Sequence, residues 1–277
     1  MTPLRQRVLD ELRRRNYSES TTEVYVRAIA SYALHFRRSP ADLGADDVLT
    51  FQLHLRDVAK VSWSTYNVYT AALRFLYAVV LGKTGVVVEI PYARRPRRVP
   101  IVLSQNETVR LIEAADKIRD RALIMVAYAA GLRVSEVVHL RVDDIDSERM
   151  IIHVRQGTGN KDRLVPLSPA LLDVLRRWWR TFKPATWLFP GEDGERPLHP
   201  VTVRNIVRDA AKRAKIKKRV TPHTLRHTYA THLLETGTDV RTVQALLGHA
   251  RLSSTMHYNH VVRQLVTASK SPLDLLS

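Results

Sequence analysis

The sequence predicts a mainly α fold with one small antiparallel β-sheet, divided between two domains. Three observations predict it. Apolar residues recur at helical spacing through most of the chain. Short apolar runs of strand length cluster only between residues 142 and 167. A basic, proline-bearing stretch separates two halves, and helical patterning begins afresh on its far side.

In "PLRQRVLDELRRR", Leu4, Val8, Leu9 and Leu12 lie on one helical stripe. "SESTTEVYVRAIASYALHF" opens on serine and threonine, which satisfy the free amides of a first turn, and then carries Val24, Ile29, Ala33 and Phe36. A third helix is predicted over 46–59, with Val48, Phe51 and Leu55 inward. A fourth covers "WSTYNVYTAALRFLYAVVL" and ends near Gly82. Together these make a small helical bundle over 1–91. Residues 92–100, "YARRPRRVP", hold two prolines and four arginines in nine residues, so no packed element is expected and the stretch reads as a linker. Its Arg94, Arg95, Arg97 and Arg98 are candidate contacts to a polyanion.

The second domain is expected over 101–277. Ser104 and Glu107 form a capping box. "DRALIMVAYAAGLRVSEVVHL" reads as an almost wholly apolar helix, a glycine break and a second helix. "VDDI", "MIIHVRQ" and "DRLVPL" read as three strands, with "GTGNK" turning between the last two. Helices are then predicted over 168–182, 200–214, 222–235, 239–247 and 253–260, with a tail around 262–270.

Composition narrows the function. Lys and Arg number 44 against 27 Asp and Glu, a net charge of +17, which calls for a polyanion partner, and nucleic acid is the expected one. The chain has no cysteine, which excludes disulfides, thiol nucleophiles and cysteine-ligated zinc. The first residues lack the apolar core of a secretory signal, and no apolar run reaches about 18 residues, so a cytoplasmic protein without a membrane span is expected.

The residues that carry chemistry begin at "TPHTLRH". Thr221 caps a helix and Pro222 suits its first position. His223 and Arg226 then stand three apart on one face, where a fixed positive charge and a group titrating near neutrality can grip a phosphate and move a proton. His227 and His232 are expected elsewhere around the helix as packing residues. No zinc site is expected from His223 and His227, because no glutamate follows the first histidine. Gly248 ends a later helix and delivers His249 into a loop, with Tyr258 nine residues on. A phenol is a poor nucleophile at neutral pH unless cations and a proton acceptor surround it. Arg133 stands just past the Gly131 break at a helix start, where anions bind well, and Glu136 reads as its structural partner or a cap. The 221–260 segment has only Glu235 and Asp239 as carboxylates, and "GTGNKDR" lacks the spacing of a phosphate-binding loop. A metal-free, ATP-free attack on a phosphodiester is therefore expected, with cations stabilising the transition state and no cofactor.

"AAGLRVSEVVHLRVDDID", "GTGNKDRLVPL" and "HTLRHTYATHLLETGTDVRTVQALLGHARLSSTMHYNHV" together resemble the tyrosine recombinase, or phage integrase, family, most closely its Xer-type and integron-integrase branches. The motif matches span about 133–261, and the helical first half is similar to the family's SAM-like core-binding domain. The resemblance implies a two-domain, C-shaped clamp on double-stranded DNA carrying a specific recombination site. It implies site-specific DNA integration or recombination, as in mobile genetic elements, through a covalent 3′-phosphotyrosine. It also implies a homo-tetramer on DNA formed from monomers or weak oligomers, accessory DNA-bending proteins, and a bacterial, nucleoid-associated setting. Carried over by motif, Arg133 and Arg226 would grip the scissile phosphate, His223 and His249 would serve the phosphate or its proton, and Tyr258 would be the nucleophile. The tail after 262 would pack into a neighbouring protomer.

One position departs. The family hairpin reads G-K-G-x-K-x-R, and its first lysine is the acid for the leaving 5′-oxygen. Here Thr158 stands in that place, and a threonine hydroxyl cannot act as a cationic acid. Lys161, at the other side of the hairpin tip, is expected to swing in as its substitute. Thr158, Lys161 and Arg163 are also expected to meet DNA.

Overall fold

Many helices in the computed structural model start where a short polar side chain holds the free amides of the first turn, as Thr2, Ser18, Ser62, Ser104, Ser168, Thr221 and Asp239 do. Residues 2–88, 90–94, 99–157, 161–248 and 272–275 are described. Chain contacts divide the protein into two units, 1–98 and 99–277.

In the first unit, α1 (Pro3–Arg14) and α2 (Glu19–Phe36) start on the side chains of Thr2 and Ser18. They are followed by α3 (Ala45–Leu53), α4 (Trp63–Phe75) and a short α5 (Thr84–Val88). The third and fourth helices do not run straight to the ends that the sequence suggests. Each finishes in a widened π-type turn, His54–Val58 and Leu76–Val80. Leu12, Tyr32, Phe51, Leu73, Leu76 and Tyr77 fill the core, and the Tyr32 and Tyr77 hydroxyls meet at 3.0 Å inside it. The expected linker starts within this unit's bonding. Asn67 on α4 donates to the Ala93 carbonyl (3.0 Å) and accepts from the Ala93 amide (2.9 Å), and the Arg74 guanidinium lies over the Tyr92 ring.

In the second unit, Ser104 and Glu107 exchange the two hydrogen bonds of a capping box and start α6 (Gln105–Glu113). The apolar helix is α7 (Ile118–Ala129), buried from Ala122 onward, and α8 (Val134–Val138) follows the Gly131 turn. Of the run expected to be the first strand, only its last residue is one. Val142–Asp144 is a tight 3₁₀ turn, because the buried Asp144 carboxylate accepts from the Arg141 amide (2.9 Å) and from Arg155 Nε (2.5 Å). The strands β1 (Ile145–Asp146), β2 (Ile151–Gly157) and β3 (Lys161–Pro166) form an antiparallel sheet in chain order. Ile152 pairs with Val165 and Val154 with Arg163.

Then come α9 (Pro169–Phe182), α10 (Pro200–Arg213), α11 (Pro222–Glu235) and α12 (Val240–Leu247). Their apolar faces and the inner sheet face close around α7 in one core, which a final turn, Pro272–Leu275, joins through Leu273. The helix expected over 253–260 and the tail around 262–270 lie outside the described residues. Among the described residues no helix is long and apolar enough to cross a membrane.

Candidate active site

The site is built where three chain breaks meet: the Gly131 turn, the start of α11 and the end of α12. Thr221 Oγ1 accepts from the Thr224 amide (3.1 Å) and Pro222 follows it, so α11 begins where the sequence places it. One turn on, Arg226 is 4% exposed. It donates from Nη1 to the Gly131 carbonyl (2.7 Å) and from Nη2 to the Leu247 carbonyl (2.5 Å). These oxygens are the free ends of a turn and a helix, and both carry partial negative charge. Burial, and then the neighbouring Arg133, push the Arg226 pKa down to about 10.

Gly131 has φ +57°, and a Cβ there would run into the Tyr229 ring and come within 3.1 Å of Leu247. Glycine is required by conformation and by this close approach.

Glu136 sits between the arginines, its side chain 5% exposed. Oε2 accepts from the Arg133 amide (2.8 Å) and Arg163 Nη2 (2.7 Å). Oε1 accepts from Arg133 Nη1 (2.8 Å) and Arg163 Nη1 (2.9 Å). Arg226 Nη1 stands 3.8 Å from Oε2. Burial works to raise this carboxyl, but Arg163 and then Arg133 outweigh it and hold it at about 2. The partner-and-cap role expected of Glu136 is what the geometry has. Arg133 keeps 29% of its side chain open, so it can reach an incoming anion while held by Glu136.

Arg163 lies elsewhere than expected. It does not stand on an open surface for DNA; its side chain is 9% exposed, clamped on Glu136, with Nε donating to the Leu246 carbonyl (2.9 Å). Strand period gives the reason: Arg163 is two residues from Val165, which is wholly buried, so both face inward. That alternation was the available signal. His227 differs too. It is not turned away from His223: the rings meet edge to face, 4.3 Å apart, as residues four apart on a helix do. His223 is exposed at the start of α11. His232 is buried, accepts at Nδ1 from the Tyr128 hydroxyl (2.8 Å) and donates from Nε2 to the Leu103 carbonyl (2.9 Å). A carbonyl can only accept, so Nε2 carries the proton and Nδ1 is free to accept.

Arg133, Arg226 and Glu136 thus share one cluster, and His223 stands one turn before Arg226. Lys161 opens β3 opposite Gly157. Arg94 is exposed. The remaining expected site residues, Arg95, Arg97, Arg98, Thr158, His249 and Tyr258, lie outside the described residues. The last two follow Gly248, which ends α12 in the left-handed conformation at φ +65°.

Two family descriptions match. "Phage integrase family" covers residues 102–264, and "Phage integrase, N-terminal SAM-like domain" covers 4–85. A putative integrase/recombinase, y4qK, of Sinorhizobium fredii is 43% identical over 281 residues, covering 100% of this chain and 90% of its own. A tyrosine recombinase of Thermosipho africanus is 34% identical over 262 residues, covering 90% and 92%. Among solved structures, that of XerA recombinase is similar with a TM-score of 0.52 at 28% identity, over 95% of this chain and 92% of that one.

Proposed function

The chain belongs to the phage integrase family of tyrosine recombinases, and from that premise we propose that it cleaves and rejoins double-stranded DNA at a specific recombination site through Tyr258. The Tyr258 oxygen attacks the scissile phosphorus and the bond to the 5′-oxygen breaks. A 3′-phosphotyrosine and a free 5′-hydroxyl result. The phenol proton leaves to a nearby base, for which His223 and His249 are the candidates, and Lys161 supplies the proton that the departing oxygen takes up. Attack by a 5′-hydroxyl reverses each step, so the phosphoester energy is retained and no nucleotide is consumed.

The observation that carries this reading is the buried Arg226 beside Arg133. Three arginines surround a single glutamate, and the surplus charge in a shielded site is what a phosphodiester anion would balance. Two-strand exchange requires more than one protomer, so a homo-tetramer on DNA is the working assembly. The tail after 262 docks on a neighbouring protomer, accessory DNA-bending proteins shape the site, and Arg94, Arg95, Arg97 and Arg98 hold the backbone.

The test is to incubate the protein in EDTA with nicked duplexes drawn from the DNA flanking its coding sequence. DNA that stays attached after denaturation is sequenced, with Tyr258→Phe alongside. A covalent adduct that needs Tyr258 and survives EDTA is expected. An adduct formed by Tyr258→Phe would move the nucleophile elsewhere, and loss in EDTA would require a metal.

Thr158 favours a second reading, a DNA-binding protein of the same family with weak or lost cleavage. General acid catalysis is typically worth about 10² to 10⁴ in rate. Thr158→Lys accelerates adduct formation if that acid is missing. No gain, with collapse in Lys161→Ala, places the acid at Lys161.

A further inference from the structure

We propose that Arg163 is a positioning residue for strand cleavage, which keeps Glu136 from drawing Arg226 off its carbonyls and fixes the end of α12. The proposal rests on the recombinase reading above. Arg163 takes both oxygens of Glu136 and, through Nε, the Leu246 carbonyl. The next carbonyl, Leu247, is held by Arg226. Two guanidiniums on consecutive carbonyls therefore grip one helix end, immediately before the turn that leads to His249 and Tyr258. Arg163 also lies flat against that turn: a Cβ on Gly248 would come within 3.1 Å of its Cδ.

The competition for Glu136 is the mechanistic core. A buried carboxylate stripped of partners is strongly disfavoured and recruits whatever cation is near. Arg226 Nη1 stands 3.8 Å from Oε2, inside ion-pair reach but bonded instead to Gly131. Arg133 is already bonded to Oε1. With Arg163 in place, Glu136 is satisfied and Arg226 keeps its position. Without it, Glu136 draws Arg226 off the Gly131 and Leu247 carbonyls, and both the phosphate grip and the α12 end shift together. A lysine could not substitute, because one ammonium cannot span two carboxylate oxygens and a carbonyl in this geometry. Tyr229 on α11 and the α12 backbone also lie near Arg163, and neither offers Glu136 a cation.

The test compares Arg163→Gln, Arg163→Lys and the double variant Arg163→Gln/Glu136→Gln with the unsubstituted full chain. The substrate is the nicked duplex recovered in the Tyr258 adduct assay. Gel-shift affinity and single-turnover adduct rate are measured, with thermal unfolding to confirm folding. Arg163→Gln should bind DNA as before and form adduct roughly 100-fold more slowly, the loss that a misplacement of about 1 Å brings. The double variant, with two arginines and no carboxylate, has the same net charge as the three arginines over one carboxylate of the unsubstituted chain, and it should recover most of that rate. Arg163→Lys should fall between. A wild-type adduct rate in Arg163→Gln or Arg163→Lys overturns the proposal. So does a double variant no faster than Arg163→Gln, since a purely structural loss would not be relieved by removing the competing carboxylate. If the unsubstituted chain forms no adduct on any duplex, it is the recombinase reading that fails.

Discussion

Glu136 lies among guanidiniums with its carboxyl held at about 2, against an ordinary value of 4.5. Its folded pKa is the lower one, so the stability it contributes is full above the ordinary carboxylate range and drains as pH falls from there through about 2. The whole contribution is on the order of 3 kcal/mol. Glu136→Gln should therefore flatten the acid limb of stability between pH about 4.5 and 2, read by urea unfolding at stepped pH. An unchanged limb would show that the carboxylate is not held as described. Arg226 has the opposite sign. Burial disfavours its charged form, so below its folded value of about 10 it costs stability, and an anion in the site offsets that cost. Inorganic phosphate should raise Tm in the unsubstituted chain, and the gain should vanish in Arg133→Met. The motif order made Arg133, His223 and Arg226 legible in the sequence. The partner of Arg163 was not, since Glu136 lies on a different element and a strand arginine reads as a surface contact until the inward face of Val165 is noticed.

At the scale of elements, Gly131 is the tightest point. Gly131→Ala adds a methyl group to the Tyr229 ring at a positive φ, and overpacking with backbone strain should cost about 2 to 4 kcal/mol by chemical denaturation. A cost under 1 kcal/mol would mean that α11 moves aside freely, since overpacking typically costs about 1 to 3. Thr228 tests the seam between α11 and the chain ahead of α6. Its Oγ1 accepts from the Leu103 amide (3.1 Å), so Thr228→Val leaves a buried donor unpaired and should cost about 1 to 3 kcal/mol. Helix starts were legible because capping is local: Ser104 with Glu107, and Thr221 before Pro222, each declare themselves within four residues. The π-type turns at His54–Val58 and Leu76–Val80 were not, because the stripe of apolar residues continues through them. The turn at Val142–Asp144 depends on Arg155, from another strand, and no local pattern announces it.

At the scale of the whole molecule, each unit closes its own core, so residues 1–98 and 99–277 should each unfold cooperatively when produced separately, followed by circular dichroism. A half that fails to fold would show that its core depends on the other. The charge of +17 gives DNA affinity a steep salt dependence, a loss of roughly 10³-fold or more between about 50 and 200 mM salt. A flat response would point away from backbone contacts. Leu103 adds a mechanical property. Its amide and its carbonyl are both bonded to α11, through Thr228 and His232, and Tyr128 braces that histidine from behind. A pull on the chain ahead of Leu103 therefore loads those bonds side by side rather than peeling them one at a time. Tension on that segment is delivered to the helix that carries Arg226, and under force this joint should yield later than a single hydrogen bond loaded alone.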